Sequence, residues 1–280
     1  MSFATKKSLF ASILASVLVA GYAGAASSMQ AIAPDGAPAS APVPVPPPSS
    51  APADGSSYFS KHFSTDALAA EVKNTVIQAN LAPVPFNKIV AQTRDQVTTS
   101  GGQPGQTGQA NPTTYTVTVV LENAGHGLIR RMQAVQSQDA NLVTRFDLTY
   151  RGYFPFLTQT IPANANALPP IVEARKVLRF DTNTDGHLVF AYQYGANGQA
   201  TFADPGQVIC NVGKDYSASE LNAAIQGQAR ELNCQTVDTN GIVTDKMKLA
   251  YLEKYGVALV LHTQNPESSL DSTVTDFTVE

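Results

Sequence analysis

The chain has 280 residues, with 18 basic and 22 acidic side chains, a formal charge of −4, two cysteines and no tryptophan. Mild acidity without a concentrated basic face argues against a nucleic-acid partner. The lack of tryptophan weakens a carbohydrate site built on stacking platforms.

Lys6 and Lys7 precede an apolar stretch, Leu9 to Ala20, and then Ala23-Gly24-Ala25. This basic, apolar and small-residue order is that of a secretory signal peptide. The apolar run is shorter than the ~20 residues of a usual membrane span. Residues 1–25 are therefore expected to be cleaved after Ala25, and no cysteine stands there to take a lipid. Loss of the two lysines leaves 16 basic against 22 acidic residues, a charge of −6. Residues 26–55 read as a Pro/Ala/Ser-rich linker, since Ala33 to Asp54 holds eight of the 18 prolines. Proline fixes φ and lacks a donor, so this segment favours extended polyproline II over a helix or a central strand.

Residues 56–280 are expected to form a β-rich globular unit, with a subdivision near 162–170 where Pro162, Pro169 and Pro170 cluster. Tyr58 to Phe63 is aromatic-rich. Leu68, Val72, Val76 and Leu81 space a helix over 67–81. The period then changes to two: Tyr115, Val117 and Val119 alternate with Thr116, Thr118 and Val120, as in a half-buried strand. Asn123 to Gly127 is a turn. Leu128–Val135, Leu142–Tyr150 and Tyr153–Ile161 follow as strands, the last broken by Pro155. Val177–Phe180, Leu188–Tyr194, Leu249–Tyr255, Val257–Thr263 and Val274–Val279 continue the series, punctuated by Asp185-Gly186, Asn197-Gly198 and Asn240-Gly241. Such pairs tolerate positive φ and are strong hairpin signals. Ser217 and Glu220 form a capping-box pattern, predicting a helix with Ala218, Leu221, Ala224 and Ile225 on its apolar face and Gly227 at its end. The expected fold class is mainly β: an antiparallel meander of hairpins with one or two short helices packed on the sheet.

Cys210 and Cys234 have no adjacent histidine and no C-x-x-C spacing, so they read as one disulfide of an oxidising compartment, closing an excursion around the predicted helix. Asp181-x-Asn183-x-Asp185-Gly186 matches half of a calcium loop, but the twelfth position is Tyr192 rather than glutamate, and the plain hairpin turn is the stronger reading. His62, His126, His187 and His262 form no zinc-hydrolase spacing. No nucleophile elbow, Walker loop or dinucleotide fingerprint occurs. Arg130-Arg131 and Arg175-Lys176-Arg179 read as solvated strand edges or hairpin ends. Tyr150, Tyr153, Phe154 and Phe156 read as core, or else as the wall of an apolar cavity.

No catalytic, cofactor-binding or metal-binding residue is assigned. The expectation is an exported bacterial protein, periplasmic or secreted, with a non-enzymatic binding or structural role in the envelope or outside the cell. The alternatives are a periplasmic carrier of a lipid or other apolar ligand in a curved-sheet cavity, a secreted hydrolase with a dispersed Ser/His/Asp site requiring His126 or His262, and an outer-membrane barrel.

Overall fold

The computed structural model of the protein describes residues 55–99, 112–138, 140–182, 187–196, 204–238 and 240–280. The expected leader at 1–25, nearly all of the expected linker at 26–55, and positions 183–186 of the Asp-rich loop lie outside these residues.

Among the described residues, two short helices, α1 (Gly55–His62) and α2 (Ala70–Gln78), precede twelve strands. These are β1 (Lys88–Thr99), β2 (Thr113–Gly125), β3 (Leu128–Ser137), β4 (Ala140–Tyr150), β5 (Phe154–Pro162) and β6 (Val172–Asp181), then β7 (His187–Ala196), β8 (Asp204–Ser217), β9 (Gln228–Val237), β10 (Val243–Leu252), β11 (Val257–Gln264) and β12 (Ser268–Val279). Each pairs antiparallel with its neighbours in sequence, and β1 pairs with β12 to close a barrel. Closure removes the two sheet edges that a meander otherwise leaves unpaired.

Alternation sets the two faces. On β1, Ile89, Ala91, Thr93 and Val97 are buried while Gln92, Arg94, Gln96 and Thr98 are exposed. The same phase carries round the barrel through the strand register, for example Thr93↔Val117 and Val97↔Leu270. Outward positions include exposed Arg94, Lys246, Lys248, Asp271 and Asp276. At these positions the outer face is polar, the reverse of the apolar band a membrane barrel shows to lipid.

The ladder thins at two seams. Strands β5 and β6 pair at Leu157↔Glu173 and Thr158↔Val172, while β11 and β12 pair over three positions. The barrel thus consists of two six-stranded arcs. Pro155 lies on the β4 side of that strand: it faces Thr149, while Leu148 faces Leu157, so Phe156 is the extra residue of a bulge in the β4–β5 ladder. Proline cannot donate to a ladder and settles at such places.

Side chains fill the first seam. Tyr150, Tyr153, Phe154 and Phe156 are buried and meet Phe180 and Phe190, with ring centroids 4.7–6.2 Å apart in successive contacts. Outside it, α1 lays Phe59 and Phe63 on Phe146 of β4, at 5.3 and 5.7 Å. Tyr58 donates to Gln159 at 2.7 Å, and Gln159 donates to the Pro169 carbonyl at 2.6 Å. These bonds tie α1 to the β5–β6 connection. The aromatic segment is thus helical as far as His62, which its sequence did not suggest.

Helix α2 is shorter than the expected 67–81, because Thr65–Ala67 forms a separate 3-10 turn that ends at Leu68. The expected apolar face survives: Leu68, Val72 and Val76 are all buried. The helix predicted after Ser217 does not form. Strand β8 runs through Ser217, and a 3-10 turn occupies Ala218–Glu220. The Glu220 carboxylate accepts from the Ser217 amide at 3.3 Å, as the capping pattern implied. Asn222 then ends helical continuation, since its side chain takes the Ala224 amide at 2.9 Å and its carbonyl takes the Ile225 amide at 2.9 Å. A short polar side chain here bonds its own backbone in a turn and competes with the helix.

Cys210 and Cys234 form the expected disulfide. They face each other directly in the β8–β9 ladder, so the bond staples adjacent strands and no helix lies under it.

At the barrel end carrying the β2–β3, β4–β5 and β10–β11 turns, Arg151 ties the β4–β5 turn to the β10–β11 turn and to the segment before β1. Its guanidinium donates to the Gly256 carbonyl at 3.0 Å and to the Ala82 carbonyl at 2.7 Å. Beside it Gly152 has φ +88°, and a Cβ there would lie 2.7 Å from the Ala258 carbonyl oxygen. Glycine is required by both conformation and contact.

Candidate functional site

Inside the barrel lies a cavity of about 110 Å³, lined by β1 to β5, β11 and β12. Its apolar wall is Val117, Val119 and Leu121 of β2 with Val135 and Val143 of β3 and β4. Leu270 of β12 adds to this wall, and Leu259 of β11 faces it from across the second seam. The polar wall holds Arg131, Gln133, Arg145 and Thr160, and a second polar patch holds Thr93, Asp95, Thr263 and Ser272.

Arg131 on β3 and Asp147 on β4 are paired in register, and Arg145 lies two residues along β4 on the same face. Arg131 donates through Nε and Nη2 to Asp147 Oδ2 at 3.0 and 2.9 Å, and through Nη1 to the Gly152 carbonyl. Arg145 donates through Nε and Nη2 to Asp147 Oδ1 at 3.0 and 2.9 Å. Thr158 adds a bond to the same oxygen at 2.7 Å. Asp147 has no exposed surface. Burial pushes its carboxyl pKa up, but Arg145 and Arg131, with the bonds from Arg145 and Thr158, outweigh burial and hold it at about 2. The reading of Arg130-Arg131 as a solvated edge is therefore wrong for Arg131. Arg130 points outward, over the Phe59 ring and against Glu122 at 3.2 Å. Alternation puts adjacent arginines on opposite faces, and the inward one is satisfied by a carboxylate 16 residues away.

Asp95 faces the same cavity and accepts from Thr93 and Ser272 at 2.8 and 2.7 Å. Burial raises its pKa, and these two hydroxyls partly offset that. Thr263, buried, and Thr160, half-buried, each present a hydroxyl with no hydrogen-bond partner among the described residues. Such groups cost about 1–3 kcal/mol each when left unsatisfied, so they mark a place for water or a ligand.

Asp245 sits on the inner face of β10, opposite Thr236 of β9. It is 2% exposed, and neither carboxylate oxygen accepts a hydrogen bond from a described residue. Burial raises its pKa to about 6; the neighbouring Thr244 hydroxyl opposes this but donates to the Thr236 carbonyl.

The four aromatics Tyr150, Tyr153, Phe154 and Phe156 line none of the described cavities and pack as core. His262 meets Asp271 at 2.7 Å on the outer face, and no serine among the described residues bonds the ring. His126 occupies the exposed β2–β3 turn at φ +51°, and His62 lies against the Tyr58 ring at 4.5 Å, tilted by 32°. Asp181 ends β6 beside Arg179, 3.6 Å away, and the remainder of the Asp-rich loop lies outside the described residues. Among the described residues no three His, Cys, Asp or Glu side chains gather as a metal site. No described helix is long and apolar enough to cross a membrane.

Strand β1, which supplies Thr93 and Asp95, was not anticipated, because two polar residues interrupt its inward apolar series. Its signal was the strict alternation from Ile89 to Val97.

No protein-family model matches this chain, and no curated protein matches it either. Two solved structures resemble it. One is a DUF1329 family protein from Desulfovibrio piger, 8% identical, with a TM-score of 0.34, covering 74% of this chain and 90% of its own. The other is a β-barrel-like protein of the domain of unknown function DUF1849 from Brucella abortus, 11% identical, with a TM-score of 0.39, covering 70% and 99%. Both superpose too loosely to say what this chain does.

Proposed function

We propose that this chain is an exported, non-enzymatic binding protein whose barrel holds a small ligand in the interior cavity. The observation that carries this reading is the pair of unsatisfied hydroxyls, Thr160 and Thr263, facing a cavity walled by valines and leucines and by Arg131 and Arg145. An apolar enclosure with a few convergent polar groups is the usual form of a small-molecule site. The volume favours a compact ligand: an apolar cavity of about 150 Å³ admits benzene, whereas drug-sized pockets begin near ~300 Å³. A long acyl chain fits this space poorly. The leader-like first 25 residues and the disulfide support export.

Native mass spectrometry of the full chain expressed in a bacterial host tests both parts. A small molecule retained in the native ion and released on denaturation is expected. So is a polypeptide mass of Ala26 to Glu280 less two hydrogens. Retention of the first 25 residues in the exported fraction would refute cleavage. A protein that retains nothing, and that no small organic probe stabilises, would refute binding.

A further inference from the structure

We propose that a ligand reaches the interior cavity sideways, through the second seam, and that the β8–β9 connection, Ala218 to Gly227, is the strap covering this entrance. This rests on the binding reading above and adds the route into the same site. The cavity borders both sides of the seam: Ala258, Leu259 and Val260 line it from β11, and Leu270 and Ser272 from β12. His262, Thr263 and Gln264 pair with Asp271, Leu270 and Ser269, but Val257 to Leu261 have no partner on β12. From Ser272 onward, β12 pairs with β1 alone.

Among the described residues no other junction combines these features. Strands β1 and β12 pair from Ile89 to Thr99, and β2 pairs with β3 from Thr116 to Gly125. Opening either exchanges a long run of ladder bonds for water. The first seam is as thin, yet no β6 residue lines the cavity, and the rings of Phe154, Phe156, Phe180 and Phe190 fill that seam.

The strap can move as one piece. The Ala218 amide donates to the Gly227 carbonyl at 3.0 Å and closes its neck, and Gly227 has φ +91°. A compact excursion with its ends held together is an Ω-loop, and loops of this kind serve as lids. Two long bonds hold it across the seam. Asn222 Nδ2 donates to the Val274 carbonyl at 3.3 Å, and the Gln226 amide donates to the Tyr255 hydroxyl at 3.4 Å. Lys254 also donates to Gln226 Oε1. Ala218 and Ile225 are buried in one apolar cluster with Val274, Phe277 and the cavity-wall residues Val119, Leu121 and Leu259. Lifting the strap therefore uncovers an apolar path to the cavity. Inside the barrel the Ala258 amide donates to the Arg151 carbonyl at 2.8 Å, so β11 keeps its place when the strap lifts.

Thiol labelling tests the route without any ligand. Both native cysteines are in the disulfide, so Val119→Cys puts a single free thiol on the β2 wall of the cavity. Its modification by methyl methanethiosulfonate, a small uncharged reagent, is followed by intact mass. Asn222→Ala in that background removes the bond to Val274 and should raise the rate about 5- to 10-fold. Ile225→Ala, which removes the buried anchor, should raise it at least ~10-fold. Tyr58→Phe cuts the tie of α1 to Gln159 over the first seam and should leave the rate nearly unchanged. Labelling through a lifted strap should depend only shallowly on urea, since little surface is exposed. If Ile225→Ala does not fold, Asn222→Ala and the urea slope decide the matter. A rate that the strap variants leave unchanged would overturn the seam route and assign access to an end of the barrel. A urea slope as steep as that of global unfolding would overturn it too. Binding itself is judged by the native mass measurement above, so either reading can fail while the other stands.

Discussion

Replacing Asp245 by asparagine should stabilise the barrel at neutral pH and leave it nearly unchanged in acid. The carboxyl is buried on the inner face of β10 with no hydrogen bond to either oxygen from a described residue, and burial, opposed in part by the Thr244 hydroxyl, raises its pKa from 3.8 to about 6. A raised folded-state value means that the fold prefers the neutral acid. Stability is therefore full below the unfolded value of 3.8, where the acid is protonated in both states. It falls as pH rises from there through about 6, and levels off above that. A shift of about two units corresponds to about 3 kcal/mol at the limit. Asp245 lies two residues inside the strand end, so solvent screening reduces the effect to about 1–2 kcal/mol. Asparagine has nearly the same shape and no charge to bury. Urea unfolding followed by far-UV circular dichroism at pH 3.5, 5 and 7.5 measures the difference. The two proteins should nearly coincide at pH 3.5, separate at pH 5 and differ most at pH 7.5, with the variant more stable. For a domain of this size, ~1–2 kcal/mol is a few degrees in Tm. Other titrating groups cancel in the comparison. Parallel pH dependence in the two proteins, or a variant less stable at pH 7.5, would refute the assignment of an uncompensated buried acid.

Asp147→Asn should be severe, since it leaves two buried guanidinium groups facing a neutral amide. A loss of about 3–5 kcal/mol is expected from denaturant midpoints, and a loss below ~1 kcal/mol would mean that the arginines find other partners. Because the Asp147 pKa is held near 2, its contribution is present above about pH 4 and fades only as pH falls toward 2. The double variant Cys210→Ala, Cys234→Ala should lose about 3 kcal/mol in the chain-entropy account of a 24-residue separation, read by the same urea titration. An unchanged midpoint would contradict this. Gly152→Ala adds a Cβ at positive φ and 2.7 Å from the Ala258 carbonyl oxygen, so a loss of at least ~1–3 kcal/mol in thermal unfolding is expected. A neutral result would show that this end of the barrel yields easily.

Hairpin chemistry and period-two alternation, which are local properties, were legible in the chain. Val117 and Val119 face inward as their spacing implies, and Gly125-His126-Gly127 turns with three successive positive φ values. The pairing of Cys210 with Cys234 followed from there being no other cysteine. Closure was not legible, because the β1–β12 ladder joins residues as distant in the chain as Ile89 and Val279, and polar Thr93 and Asp95 obscure β1. The loss of the helix after Ser217 was decided by Asn222, whose side chain bonds the turn and whose amide reaches the Val274 carbonyl on a distant strand. The cavity depends on the whole fold. Arg131 looked like a surface charge until register placed it beside Asp147, and the space between Thr160 and Thr263 exists only because non-adjacent strands β5 and β11 face one another across the barrel. Alternation tells which face of a strand a side chain takes. Only closure of the sheet decides what stands opposite it.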